Sequence, residues 1–344
     1  MLKNIESCGL NILVLYRHFS ATKETMSTHS SKTSLQTPHI PVLLPEVMES
    51  FSSLDEGVLI DCTLGYAGHS SALLEAHPKL KLIGIDRDPE ALEFSAQRLA
   101  PYRDRVRLEH GSFSERLPSL IDQEPVVGIL ADFGVSSLQL DKKERGFSFA
   151  SENLDMRMNP EAPLRAYDVV NGYPLERLEY LFREYGEIRP AGALAAAIVK
   201  ARANAPISSA QELAELAKTV LRGKGKTHPA TQMFQAIRIE VNDELGEIER
   251  LLDTLEAKRP AGAIVSLITF HSLEDRLVKN RFRAWSQKCI CPPEAIRCTC
   301  GGNHALGEML SRKPRSASKE ELRSNPRSRS AKLRSFRFYE GADR

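Results

Sequence analysis

Val58-Leu-Ile-Asp61-Cys-Thr-Leu-Gly65-Tyr-Ala-Gly68-His69-Ser70 is the stretch on which the fold turns. A short β-branched apolar run, Val58 to Cys62, ends in a carboxylate, passes through a glycine-containing turn and opens a helix that the pattern carries from His69 to His77. Downstream the alternation repeats. Leu80 to Ile85 reads as a second strand, Pro89 to Leu99 as a helix opened by proline, Val106 to Glu109 as a third strand and Val126 to Ala131 as a fourth. Strands that alternate with helices over short connections imply a parallel sheet with right-handed crossovers, so residues 39–141 are expected to form an α/β unit.

After Asp141 the strand signal stops. Residues 142–240 carry helical spacing instead, in Leu175, Leu178, Leu181 and Phe182, then Ala193 to Ala203, then Ala210 to Leu221. Gly223 to Pro229 reads as a flexible loop. From Ala230 to Leu252 the residues Phe234, Ile237, Val241, Leu245, Ile248 and Leu252 recur every three or four positions, which predicts one long amphipathic helix. A buried-strand run returns at Ile264 to Phe270. The helical part is therefore expected to be an insertion into the α/β unit, whose second part spans 241–311. Residues 312–344 carry eleven Lys/Arg against four acids and read as a basic tail. Residues 1–38 read as a disordered or misassigned extension, with Met26 as an alternative start. A mitochondrial presequence is the other reading of that segment, which is thin in arginine.

Composition narrows the class. The 344 residues are 42% hydrophobic and 27% charged, enough apolar material for a sizeable core and too much for a disordered chain. No stretch reaches the roughly 20 apolar residues of a membrane span, and none is expected. The net charge is only +2, so affinity for a polyanion must come from local clustering. Six cysteines are too few for a disulfide scaffold, and four of them crowd into Cys289-Ile-Cys291 and Cys298-Thr-Cys300. Those four are candidate ligands of a structural zinc, or else free thiols, since the usual knuckle spacing is C-x-x-C.

The chemistry-bearing residues gather at predicted strand ends. Asp86 follows Gly65 by 21 positions at the end of the second strand, where a carboxylate can accept both hydroxyls of a ribose. That pattern suits an adenosine-containing cofactor, NAD or S-adenosylmethionine. The turn supplies only G-x-x-G, and Asp61 would repel a pyrophosphate while suiting an ammonium group, which favours S-adenosylmethionine. Phe113, after the third strand, offers a face for adenine. Asp132 and His271 stand at the ends of the fourth and the returning strand, at the same expected mouth. Each has a capping alternative, with Ser272 and Asp275 as the box for the helix after His271.

Taken together, these stretches resemble a known family. Asp61 to Ser70, Gly84 to Asp88, Asp132 to Gln139 with Arg145 to Phe149, Leu154 to Met158, His228 to Leu245, Phe270 to Arg276 and Asn325 to Ser330 look like the bacterial 16S ribosomal RNA (cytosine-N4)-methyltransferases. The resemblance covers His39 to Phe338. It implies a class I, Rossmann-like S-adenosylmethionine-dependent methyltransferase sheet with an inserted all-helical domain, acting on N4 of a cytosine in the decoding centre of small-subunit RNA. Carried over by position, the cofactor contacts fall on Ala67, Gly68, His69, Asp86, Phe113, Asp132 and Gln139, with Asp61 beside them. Asp132 is the expected acceptor for the amino proton, and Arg327, Arg329 and His271 are expected to meet RNA. The implied setting is the cytoplasm; oligomeric state is left open, a homodimer included. The family usually has glycine where Cys62 and Ala67 stand and leucine where Phe133 stands. A nicotinamide-dependent oxidoreductase and a non-catalytic RNA-binding module remain as the other readings.

Overall fold

A computed structural model describes residues 40–221 and 228–341. The extension before residue 39 and most of the Gly223–Pro229 loop lie outside the described residues. Helix α1 (Leu44–Ser50) leads into β1 (Gly57–Asp61), α2 (Gly68–Ala76), β2 (Leu80–Asp86), α3 (Pro89–Arg98), β3 (Val106–His110), α4 (Phe113–Gln123) and β4 (Val126–Asp132). A short α5 (Ser137–Asp141) precedes five helices without an intervening strand: α6 (Ala166–Gly172), α7 (Leu175–Glu184), α8 (Ala191–Arg202), α9 (Ala210–Val220) and α10 (Thr231–Asn242). The chain returns through α11 (Glu244–Lys258), β5 (Ile264–Thr269), α12 (Ser272–Trp285), β6 (Gly307–Met309), α13 (Lys319–Ser324) and β7 (Lys332–Phe338).

The seven strands form one sheet in the order β3-β2-β1-β4-β5-β7-β6. The first five are parallel, and β7 enters antiparallel between β5 and β6. β4 and β5 read as unbroken apolar runs because helices cover both of their faces. One face packs Ile60, Ile129, Val265 and Phe336 against α11 and α12, and the other packs Leu59, Leu82, Leu130 and Ile268 against α1 and α2. The helices α6–α10 have a separate apolar centre built on Val169, Phe182, Leu194, Leu213 and Ile237. Strand order reverses between β1 and β4, and a crevice opens there at the carboxyl ends, where such sheets take ligands.

Two expectations fail here, each for a physical reason. The single helix expected over 230–252 is two. Asp243 takes a left-handed φ of 48°, ending α10 and starting α11 in a new direction. The periodicity runs on because α10 turns Phe234 and Ile237 into the helical core while α11 turns Ile248 and Leu252 against the sheet.

The basic tail expected over 312–344 holds a central strand. Phe336 and Phe338 are buried beside Trp285, and Arg334 is buried in an ion pair with Asp275 at 2.7 Å. The basic residues of β7 hid its apolar ones. Their partner, Asp275, lies 59 positions away, and its carboxyl is held below the usual range by the Arg334 and Lys332 side chains despite the opposing cost of burial.

Candidate functional site

The glycine turn after β1 shapes the crevice. Gly65 takes φ 51° and Ala67 φ 54°, so the chain doubles back before α2. Gly68 lies so close to Pro41 that a Cβ there would stand 2.4 Å from the proline ring. The segment from Pro41 is in turn held from the far end of the chain. Glu321 Oε1 accepts the Leu43 N–H at 2.8 Å, and Asn325 Nδ2 donates to the Ile40 carbonyl at 3.2 Å. His69 bonds the Val42 carbonyl through Nε2 at 2.8 Å.

These pieces surround a cavity of about 340 Å³ lined by Gly65, Gly68, His69, Asp86, Phe113, Asp132 and Gln139, with Met158, Arg238 and Glu244 from the helical side. Six of the expected cofactor positions thus meet in one cavity. Ala67 and Asp61 do not line it. Ala67 is wholly buried in the turn. The Asp61 carboxylate is turned inward, accepting from Ser70 Oγ at 2.6 Å and Thr63 N–H at 3.2 Å. Burial pushes it up to about 6, against the pull of those two donors. It braces the turn where an ammonium partner was expected.

Asp86 Oδ2 accepts the Gly65 N–H at 2.7 Å and Oδ1 the Asp88 N–H at 2.9 Å. Burial raises its pKa, partly offset by these donors. A carboxylate has about four lone-pair sites, so both oxygens keep acceptor capacity toward the cavity. Phe113 sits beside Phe133, ring centres 6.1 Å apart, with Arg87 above its ring. Gln139 has a bracing task as well. Its Nε2 donates to Asp88 Oδ2 at 3.1 Å and its Oε1 accepts the Ser136 N–H at 3.0 Å. Arg145 pairs with the same buried Asp88 at 2.9 Å and donates to the carbonyls of Arg157 and Met158, tying the start of the helical region to the loop after β2. Asn242 closes the loop from the other side, accepting the Met158 N–H at 2.7 Å.

Asp132 is the outlying group chemically. Its backbone N–H is held by Thr63 Oγ1 at 2.6 Å, yet its buried Oδ1 has no hydrogen-bond partner. Burial above all, then the negative Asp61 and Glu274 nearby, push its pKa to about 7, against the pull of the Gly134 N–H. Gly134 must lack a side chain, because a Cβ would meet the Phe270 ring at 2.7 Å. Glu274 is fully buried and accepts the N–H groups of Phe270 at 2.7 Å and His271 at 3.2 Å. The N-cap of α12 is therefore His271 and not Ser272, with Glu274 as the residue that reaches back, while Asp275 is committed to Arg334. The His271 side chain is only 8% exposed and lies beside Glu274.

Arg327 lines the mouth of the cavity and is paired with exposed Asp141 at 2.8 Å. Arg329 lies on a neighbouring hollow that shares Phe270 with the main one and also touches His271. Sequence reasoning missed Thr63, Glu274, Arg145 and the Arg238–Glu244 pair, whose two bonds are 2.7 and 2.8 Å long. Only the spacing of Glu274 behind a strand end could have pointed to any of them. The four cysteine sulfurs do gather, all within 4.8 Å of one another, away from this cavity.

The model of the MraW methylase family matches residues 36–339. A protein of a Sulfurovum species named ribosomal RNA small subunit methyltransferase H is 69% identical over 304 residues, covering 88% of this chain and 99% of that protein. The protein of the same name from Wolinella succinogenes is 58% identical over 304 residues, with the same coverage of both chains. A third, from a Nitratiruptor species, is 57% identical over 306 residues, covering 89% of this chain and all of its own length. A sheet with its crevice at the β1/β4 switch point, the glycine turn beneath it and the match along nearly the whole described chain lead to one assignment: the chain belongs to the MraW methylase family.

Proposed function

We propose that this chain transfers a methyl group from S-adenosylmethionine to N4 of a cytosine in the decoding centre of small-subunit ribosomal RNA. The names of its relatives supply the substrate class, and the observation that carries the chemistry is the buried Asp132 carboxyl at the end of β4, one oxygen of which has no hydrogen-bond partner.

The cavity suits the cofactor. Its volume of about 340 Å³ falls within the range of small-molecule sites. Asp86 is set to accept the ribose hydroxyls, Phe113 to cover the adenine, and the Gly65–Gly68 turn to take the methionine part close to the backbone. When bound, the sulfonium supplies an electrophilic methyl group.

Cytosine N4 is a poor nucleophile because its lone pair is delocalised into the ring. An acceptor on the amino hydrogen lets that pair localise as the methyl arrives. Asp132 is that acceptor: its carboxyl, at the cavity wall, takes the N4–H hydrogen bond and then the proton. A pKa near 7 keeps a usable fraction ionised at neutral pH and leaves the group basic enough to accept the proton. Burial supplies most of that rise, and Asp61 and Glu274 nearby add to it.

A stacked base hides its amine, so the target must be splayed into the cavity. Met158, Arg238 and Glu244 form the helical wall it would pass, and the α6–α10 helices serve as the substrate-recognition module. Arg327, on the rim, and Arg329, on the neighbouring hollow, contact phosphate. Small subunits form in the cytoplasm, and this is where the chain acts; no described helix is long and apolar enough to cross a membrane.

The test is labelled methyl transfer into small subunits that lack the modification, wild type against Asp132→Asn. Transfer by the wild type, with a loss of about 10²–10⁴-fold in the variant, supports the reading. Equal transfer by both removes Asp132 from the chemistry.

A further inference from the structure

Between Trp285, buried at the end of α12, and β6 the chain makes an excursion with neither helix nor strand. Its stem is closed by Leu306 N–H to the Trp285 carbonyl at 2.7 Å and His304 N–H to the Lys288 carbonyl at 3.0 Å. Beyond the stem nearly every residue is exposed, including Ile290 at 60% and Ile296 at 99%. No apolar core holds this loop in shape. Its only internal focus is sulfur: Cys289 to Cys298 at 3.6 Å, Cys298 to Cys300 at 3.5 Å and Cys300 to Cys289 at 3.6 Å, with Cys291 within 4.8 Å of all three.

Those separations select among the options for four thiols. A disulfide would bring two sulfurs to about 2.0 Å. Four sulfurs at ~2.3 Å from one ion, at the corners of a tetrahedron, stand about 3.8 Å apart, close to what is found. The backbone is arranged to match. Thr299 N–H donates to Cys291 Sγ at 3.3 Å. An N–H aimed at a ligand sulfur is the kind of outer contact that fixes a ligand's orientation. Gly301 and Gly302, at φ 86° and 71°, allow the chain to reverse after Cys300. The imidazole of His304 is engaged elsewhere, on the Cys300 carbonyl at 2.7 Å, so the set is four sulfurs and no nitrogen.

We propose that Cys289, Cys291, Cys298 and Cys300 bind one zinc ion as a closed tetrathiolate site, which serves as the missing core of the excursion between α12 and β6. Binding displaces the thiol protons to solvent and oxidises nothing. A closed set of four ligands leaves no open position, so the ion is structural and independent of methyl transfer.

The test uses the full chain purified under reducing conditions without chelator. Elemental analysis is expected to find one zinc per chain, and the Cys289→Ser/Cys300→Ser double variant to retain less than about a tenth of it. Cobalt substituted into the wild type should show the visible ligand-field and sulfur-to-metal bands of a tetrahedral thiolate site. Removing the metal should open a tryptic cut after exposed Arg297 while the rest of the chain resists. S-adenosylmethionine binding, measured in parallel, reports that the body remains folded. A metal-free wild type whose four thiols all react freely, two disulfides by intact mass, or iron in place of zinc would each overturn the proposal.

Discussion

Asp132→Asn separates a carboxyl poised for chemistry from one that supports the fold. The wild-type carboxyl is raised from 3.8 to about 7, chiefly by burial. The folded protein therefore binds more protons than the unfolded chain between about pH 4 and 7, and stability falls as pH rises through that window. Three pKa units at about 1.4 kcal/mol each set a ceiling of about 4 kcal/mol for the cost of ionising Asp132 at pH 8. By pH 5 only about 1.5 kcal/mol of that has been incurred. Asparagine keeps the shape and carries no charge. The variant's advantage over wild type should thus grow by about 2–3 kcal/mol from pH 5 to pH 8, read from urea unfolding at each pH. Over the same range wild-type turnover should rise with an inflexion near 7, because only the ionised form accepts the amino proton. The variant should be slow and flat. Parallel stability curves together with near-normal turnover would refute both the burial argument and the assigned role.

Asp86→Ala should weaken S-adenosylmethionine binding by about 1.5–3 kcal/mol in calorimetry, the range for hydrogen bonds to a charged group. Ala67→Gly should leave stability within about 0.5 kcal/mol of wild type, because relief of the left-handed φ offsets the lost methyl. The same change at Ala195, buried inside α8, should cost about 2 kcal/mol in the same unfolding assay. Replacing Arg327 and Arg329 by alanine should lower the slope of log affinity for small-subunit RNA against log salt by about 1–2. Truncation before residue 312 should instead yield an unfolded chain by circular dichroism, since it removes β7 from between two strands.

The parallel half of the sheet was legible because its strands are short apolar runs punctuated by turn residues, and local pattern determines them. β7 was not, because Lys332 and Arg334 look solvated until Asp275 is brought opposite. The break at Asp243 was hidden by two apolar faces in register on either side of one left-handed residue. At the site, spacing identified residues at strand ends but could not assign their side chains. Asp61 and Gln139 spend their polar atoms on Ser70 and Asp88, and His271 lies beside Glu274, whereas Asp132 keeps an oxygen free. Which carboxylate is satisfied depends on contacts as distant as the 51 positions between Asp88 and Gln139.

Identifying the product nucleoside tests the central claim most directly. Small subunits lacking the modification, methylated by the purified chain and digested to nucleosides, should yield N4-methylcytidine by mass spectrometry, mapping to a single decoding-centre cytosine. A methyl group on cytosine C5, on another base, or on no nucleoside despite demonstrable cofactor binding would contradict the account.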